Sequence, residues 1–138
     1  LKLLDDIIDG TTDDSVSLVS LLRKCLVFAD KLKNEKLKKW VLAELNGYDD
    51  GLPDYRVLGV NAVGLVLGPF GSVIKGQPIP PALLEKDHRV WASQANMAQP
   101  ISSYETLAKS DEDSQVVPWP ANLVAYYQFC RRTAKSTR

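Results

Sequence analysis

Apolar and polar positions repeat with a helical period over residues 17–48, SLVSLLRKCLVFADKLKNEKLKKWVLAELNGY, more clearly than anywhere else in the chain. Leu18, Leu21, Leu22, Cys25, Leu26, Ala29 and Leu32 recur at the spacing of one helix face. Val19, Val27 and Phe28 widen that face, which predicts a helix sandwiched between neighbours, with Arg23, Lys24, Asp30 and Lys31 turned to water. Ser17 is the expected N-cap. Asn34 is placed to cap a second helix, with Glu35 in its first turn and Leu37, Trp40, Val41 and Leu45 as its core stripe. The connection is short, so the two helices are expected to pack antiparallel. Asn46-Gly47 ends the second helix because glycine tolerates positive φ, and Tyr48 is expected to fold back onto the cap.

The pattern before and after this pair is weaker. Leu3, Leu4, Ile7 and Ile8 predict a short helix over residues 1–9, broken by the polar run 10–15. Beyond a turn-rich loop the period changes. Residues 55–67, rich in Val and Leu with Gly59 and Gly64, read as a long or bulged strand, and Gly68-Pro-Phe-Gly as a turn into a returning strand over 72–75. A lone hairpin is marginal, so it is expected to lie on the helices or gain another strand. Pro81 suits a one-turn helix through Leu84, and residues 88–92 are open between a short strand and a loop. Pro100 begins a further helix in which Ser102 and Glu105 have capping-box spacing. Residues 115–120 read as an extended edge segment limited by Pro118 and Pro120. A last helix then presents Leu123, Val124, Tyr126 and Tyr127, and residues 131–138 form a basic tail.

These elements predict an α+β fold: an N-terminal helical hairpin plus a short helix packed on a small antiparallel β-hairpin or sheet, with further short helices at the C-terminal end. The expected organisation is one domain over residues 1–130 and a tail over 131–138 that lacks large apolar residues and is expected to fray. At 138 residues and 45% hydrophobic content there is room for a core, and 17 basic residues balance 17 acidic ones, so no global field favours nucleic acid. No apolar run approaches a bilayer span and no signal-peptide pattern opens the chain. Leu1 in place of Met predicts a trimmed start. Cys25 and Cys130 are too few for a disulfide framework and read as thiols of a cytoplasmic protein.

No motif carries chemistry. The glycines form no phosphate loop, and one histidine without a CxxC makes no zinc site. Asp13 and Asp14 precede a helix, where dipole and capping chemistry explains them. The acidic run 111–113 reads as a solvated turn. Lys31, Lys33, Lys36, Lys38 and Lys39 cluster around the helical turn, diluted by Asp30, Glu35 and Glu44, and read as a solvated face. An enzyme would draw on Asp49, Asp50, Asp54, Arg56 and His88, yet no motif spacing unites them. No catalytic, cofactor-binding or metal-binding residue is therefore assigned.

The order of features resembles the AbiTii domain family of bacterial abortive-infection and antiphage-defence proteins. The resemblance rests on DSVSLVSLLRKCLVFADKL (14–32), KKWVLAELNGYDDGLPDYRVL (38–58), the apolar hairpin around Gly68-Pro-Phe, PISSYETL (100–107) and PWPANLVAYYQ (118–128). Its sharpest pieces are Trp40, Glu44, Leu45, Asn46, Gly47 and Tyr48, then Pro53, Tyr55 and Arg56. It implies a non-catalytic module that recruits, assembles or regulates effectors through a protein partner, either itself in a homo-oligomer or a defence component. Family members usually continue into a further Trp-containing segment and a long helix. A basic tail here predicts a short or truncated form, whose exposed apolar surface an oligomer would cover. The alternatives are a small toxin-like enzyme acting on nucleic acid or nucleotides, and a nucleic-acid-binding module using the Lys31–Lys39 cluster and the tail.

Overall fold

A computed structural model describes residues 1–111 and 116–134. The architecture is α+β, arranged as two compact units: Leu1–Leu58 with Asn96–Asp113, and Gly59–Ala95 with Ser114–Arg138. The helices are α1 (Lys2–Thr11), α2 (Leu18–Lys31), α3 (Glu35–Asn46), α4 (Ile101–Ala108) and α5 (Ala121–Ala134). The strands are β1 (Val57–Gly59), β2 (Val63–Leu67), β3 (Val73–Pro78) and β4 (Gln94–Asn96). β1 pairs with β4, and β2 pairs antiparallel with β3.

In the first unit, α2 packs against α1, α3 and α4, as its broad apolar surface requires. Leu22, Ala29 and Val41 are buried at the α2–α3 contact. Both expected caps form: Ser17 Oγ accepts from the Ser20 N–H at 3.1 Å, and Asn34 Oδ1 from the Leu37 N–H at 3.0 Å. α1 does not stop before Gly10 but runs through Thr11. A Cβ at Gly10 would lie 2.8 Å from Leu21 Cδ1, so the glycine serves close packing of α1 on α2 rather than a break. Asp13 caps a turn, accepting from the backbone N–H and hydroxyl of Ser15 at 2.9 and 2.6 Å.

The capping box in α4 does not form. Pro100 holds the N-cap position without a side-chain bond, and Glu105 instead accepts the Leu18 N–H of α2 at 2.7 Å. The first N–H groups of a helix lack partners and sit at the positive end of its dipole, so a carboxylate from a neighbouring helix satisfies both needs of α2.

The second unit departs more from the sequence pattern. The long strand expected over 55–67 is divided into a 3-10 turn (Asp54–Arg56), β1, a non-strand link and β2. Within the link, the Val60 and Ala62 N–H groups donate to the carbonyls of Ser93 and Ala92 at 3.0 and 3.3 Å, while the Ala62 carbonyl accepts from Ile79 at 2.8 Å. The first two bonds turn the link toward residues 92 and 93, and the third continues the β2–β3 register by one position. The hairpin turn, Pro69–Gly71, carries positive φ at Phe70 (57°) and Gly71 (75°), and β3 bulges at Lys75-Gly76, two residues opposite Leu65, with Gly76 at φ 68°. Pro81–Leu83 forms the expected single turn, whereas residues 88–92 belong to a 3-10 segment, Lys86–Ala92.

Residues 116–120 form no strand, since Pro118 and Pro120 have no N–H to give a ladder. The Pro120 carbonyl instead starts α5 by accepting from Leu123 and Val124 at 3.0 and 3.1 Å. Among the described residues of this unit, Leu84, Ala92, Ala95 and Leu123 are the buried apolar ones. α5 carries the backbone of the basic segment as far as Ala134. Most of the acidic turn (112–114), Gln115 and the last residues (135–138) lie outside the described residues.

Gly47 ends α3 with φ 97°, and a Cβ there would stand 2.9 Å from the Ala98 carbonyl oxygen, which accepts the Tyr48 N–H at 2.8 Å. Gly51 also has positive φ (62°) but faces open space. Gly47→Ala is expected to cost about 2–4 kcal/mol of unfolding free energy, from left-handed strain plus the backbone clash. Gly51→Ala is expected to cost only about 1 kcal/mol. Urea denaturation of both variants checks this, and equal losses would contradict the close approach.

Candidate functional site

Three places in the chain gather side chains with functional potential. The first begins with Glu44, which lies on the buried face of α3 one turn beyond Val41. A carboxylate there needs a cation and several donors to be tolerated. The 3-10 turn after Pro53 supplies the cation. Arg56 pairs with Glu44 Oε2, and each of the two residues is only 5% exposed. Glu44 Oε1 accepts from the hydroxyls of Tyr48 and Tyr55 at 2.7 and 2.6 Å, and the Tyr55 hydroxyl accepts from Trp40 Nε1 at 2.7 Å. Arg56 Nη1 donates to the carbonyls of Met97 and Gln99 at 3.0 and 3.3 Å. The guanidinium also lies over the rings of Tyr48 and Tyr104, 5.5 and 5.4 Å from their centroids, where a cation–π attraction of about 0.5–2 kcal/mol is available.

Burial acts to raise the Glu44 carboxyl, but the hydrogen bonds from Arg56, Tyr55 and Tyr48 and the adjacent positive charge outweigh it and hold the group below its ordinary value of 4.5. The Tyr48 phenol is pushed far above its usual range, first by burial and then by its bonds to Tyr55 and Glu44. Beside this network Leu18, Leu22, Trp40, Leu58, Ile101 and Tyr104 help line an open cleft of about 390 Å³. The polar atoms at its base bond to one another, and the walls around them are largely apolar. Among the described residues no buried side-chain nitrogen or oxygen is left unpartnered.

The second place surrounds His88. Its Nδ1 hydrogen-bonds with the Tyr127 hydroxyl at 2.8 Å, and that hydroxyl also accepts the Glu85 N–H at 3.0 Å. Tyr126 and Tyr127 meet the ring edge-on at centroid distances of 5.3 and 5.6 Å, and the Tyr126 hydroxyl donates to Glu85. The Trp119 indole N–H donates to the Trp91 carbonyl at 3.0 Å. This cluster fastens α5 to the 3-10 segment.

The third place is the outer face of the β2–β3 hairpin. Alternation along β2 puts Val63, Leu65 and Leu67 on one side, and the register brings Val73 opposite Leu67 and Pro78 opposite Val63. All five are exposed, Leu65 to 62% and Leu67 to 72%, and Phe70 at the turn projects fully into solvent.

Of the residues weighed as catalytic, Arg56 is drawn into the pair with Glu44, Asp49, Asp50 and Asp54 sit on the exposed surface of the first unit, and His88 belongs to the second. Among the described residues, no group of three His, Cys, Asp or Glu could hold a metal ion. Lys31, Lys33, Lys36 and Lys39 are exposed, and Lys38 bonds Asp30 at 2.7 Å. Burial raises the Cys25 thiol, which suppresses its thiolate. Reading the sequence missed the Glu44–Arg56 pair. Its signal is a charge placed on the stripe of Leu37 and Val41, which a buried partner must answer.

The family model described as AbiTii matches residues 2–137, a span that includes both halves of the network. No curated protein and no solved structure matches the chain.

Removing one partner of a buried pair leaves the other charge uncompensated, so Arg56→Met and Glu44→Leu are each expected to cost about 3–5 kcal/mol. The double variant is expected to cost less than the sum of the two, measured by urea unfolding as a double-mutant cycle; strict additivity would contradict direct coupling. A carboxyl lowered in the folded state stabilises above its unfolded value and loses that contribution as pH falls through the folded one. The melting temperature is therefore expected to drop as pH falls below 4.5, and to drop less steeply in Glu44→Gln, which has no charge there to lose.

Proposed function

The chain belongs to the AbiTii family, and on that premise we propose that it serves abortive-infection defence as a non-catalytic protein-interaction module that assembles or regulates an effector in the cytoplasm. The observation that carries this reading is the exposed apolar face of the β2–β3 hairpin. A contiguous apolar surface in water is a cost that an interaction surface explains and a solvent-facing sheet does not. The Glu44–Arg56 network supports the same reading from the other side, because its ionisable groups are consumed in holding α3 to the segments around Arg56 and Met97. Among the described residues, no helix is long and apolar enough to cross a membrane.

Phage protection in cells carrying the gene tests the reading. Leu65→Lys and Leu67→Lys, at exposed positions that folding does not require, are expected to abolish protection and to release any protein that co-purifies from infected cells. Asp49→Asn, Asp50→Asn and Asp54→Asn are expected to leave protection intact. The opposite pattern, with the hairpin variants protective and a carboxylate variant inactive, points to an enzyme and overturns the reading.

A further inference from the structure

An antiparallel pair with one face in solvent ordinarily turns polar residues outward. The β2–β3 hairpin does not. Val63, Leu65 and Leu67 share the outer face with Val73 and Pro78, and Phe70 extends beyond the turn. Between Val63 and Pro78 the sequence has no acidic residue, and Lys75 is its one charged side chain.

We propose that this face is covered by a second copy of the chain, the two hairpins stacking outer face to outer face about a two-fold axis. The inference rests on the interaction-module reading and names its partner. Area is the first argument. The exposed parts of Val63, Leu65, Leu67, Phe70 and Val73 amount to roughly 600 Å², about three quarters of the ~800 Å² each partner contributes to a standard interface. Complementarity is the second. An apolar face almost without charge matches itself, and a two-fold contact presents the same patch from both sides. Lys75 keeps its ammonium in water at the end of a long stem. The third is the sheet itself. Two strands alone are marginal, and a stacked second sheet about 10 Å away supplies the apolar layer that stabilises such a pair.

The test is the mass of the purified full chain, by light scattering and sedimentation across the micromolar range. The variants are Leu65→Lys and Leu67→Lys, with Leu83→Lys as an exposed apolar control outside the hairpin and circular dichroism confirming that each is folded. The wild type is expected to dimerise. Each hairpin variant is expected to raise the dimer dissociation constant by more than about tenfold, because the two-fold buries two unpaired ammonium groups, while the control behaves as wild type. A wild type that stays monomeric at high micromolar concentration, or a dimer indifferent to both hairpin substitutions, overturns the inference. A monomer that floats with phospholipid vesicles through Leu67 also overturns it and gives the face to lipid. A monomeric wild type whose hairpin variants still lose phage protection removes the second copy and leaves the module reading standing. Hairpin variants that keep protection remove the support of both.

Discussion

A carboxylate on the buried face of α3 is the constraint to which the first unit is built. Glu44 cannot stay ionised there without a positive partner, and Arg56 provides one from the turn that follows Pro53. Once Arg56 is committed, its remaining donors need acceptors, and the carbonyls of Met97 and Gln99 provide them. The Arg56 carbonyl in turn accepts the Met97 N–H at 2.8 Å, while the Tyr48 N–H reaches Ala98. Three segments distant in sequence, around residues 44–48, 55–56 and 97–99, are thus fixed by one buried charge pair. Such a pair contributes little net stability against a well-packed apolar substitute, whereas removing one partner alone leaves a buried charge uncompensated.

The residues on which the resemblance is sharpest come together in the first unit. Trp40, Glu44, Tyr48, Tyr55 and Arg56 bond to one another, and Gly47 makes room for the Ala98 carbonyl. A cluster of Trp, Tyr, Glu and Arg beside a cleft has the composition of an active site. Within it both carboxylate oxygens accept bonds from the cluster's own side chains, and the Tyr48 phenol is pushed away from ionisation. The outer face of the hairpin differs from it in being apolar and exposed.

What the sequence revealed follows from how local each signal is. Ser17, Asn34 and Gly47 act within one turn of the backbone they cap, so their roles were legible. The α+β class followed from the change of period after Tyr48. Glu105 was misread because capping-box spacing is a local rule, and the free N-terminus of α2 was a better partner than its own helix. The strand over 55–67 was misread because the hydrogen bonds that divide it come from residues 92 and 93. Glu44 and Arg56 were each visible as residues, Arg56 even as a catalytic candidate. Their pairing was not, since twelve positions separate them and only burial makes it obligatory.

Replacing the charge pair while keeping the fold separates a structural role from a chemical one most directly. The measurement is phage protection by Glu44→Leu/Arg56→Met, scored only where circular dichroism and urea unfolding show the variant folded. The predicted result is protection at the wild-type level in a double variant that remains folded, because on this account the pair has a structural role and no chemical one. A folded double variant that has lost protection would contradict this account and place the chemistry at Glu44 and Arg56.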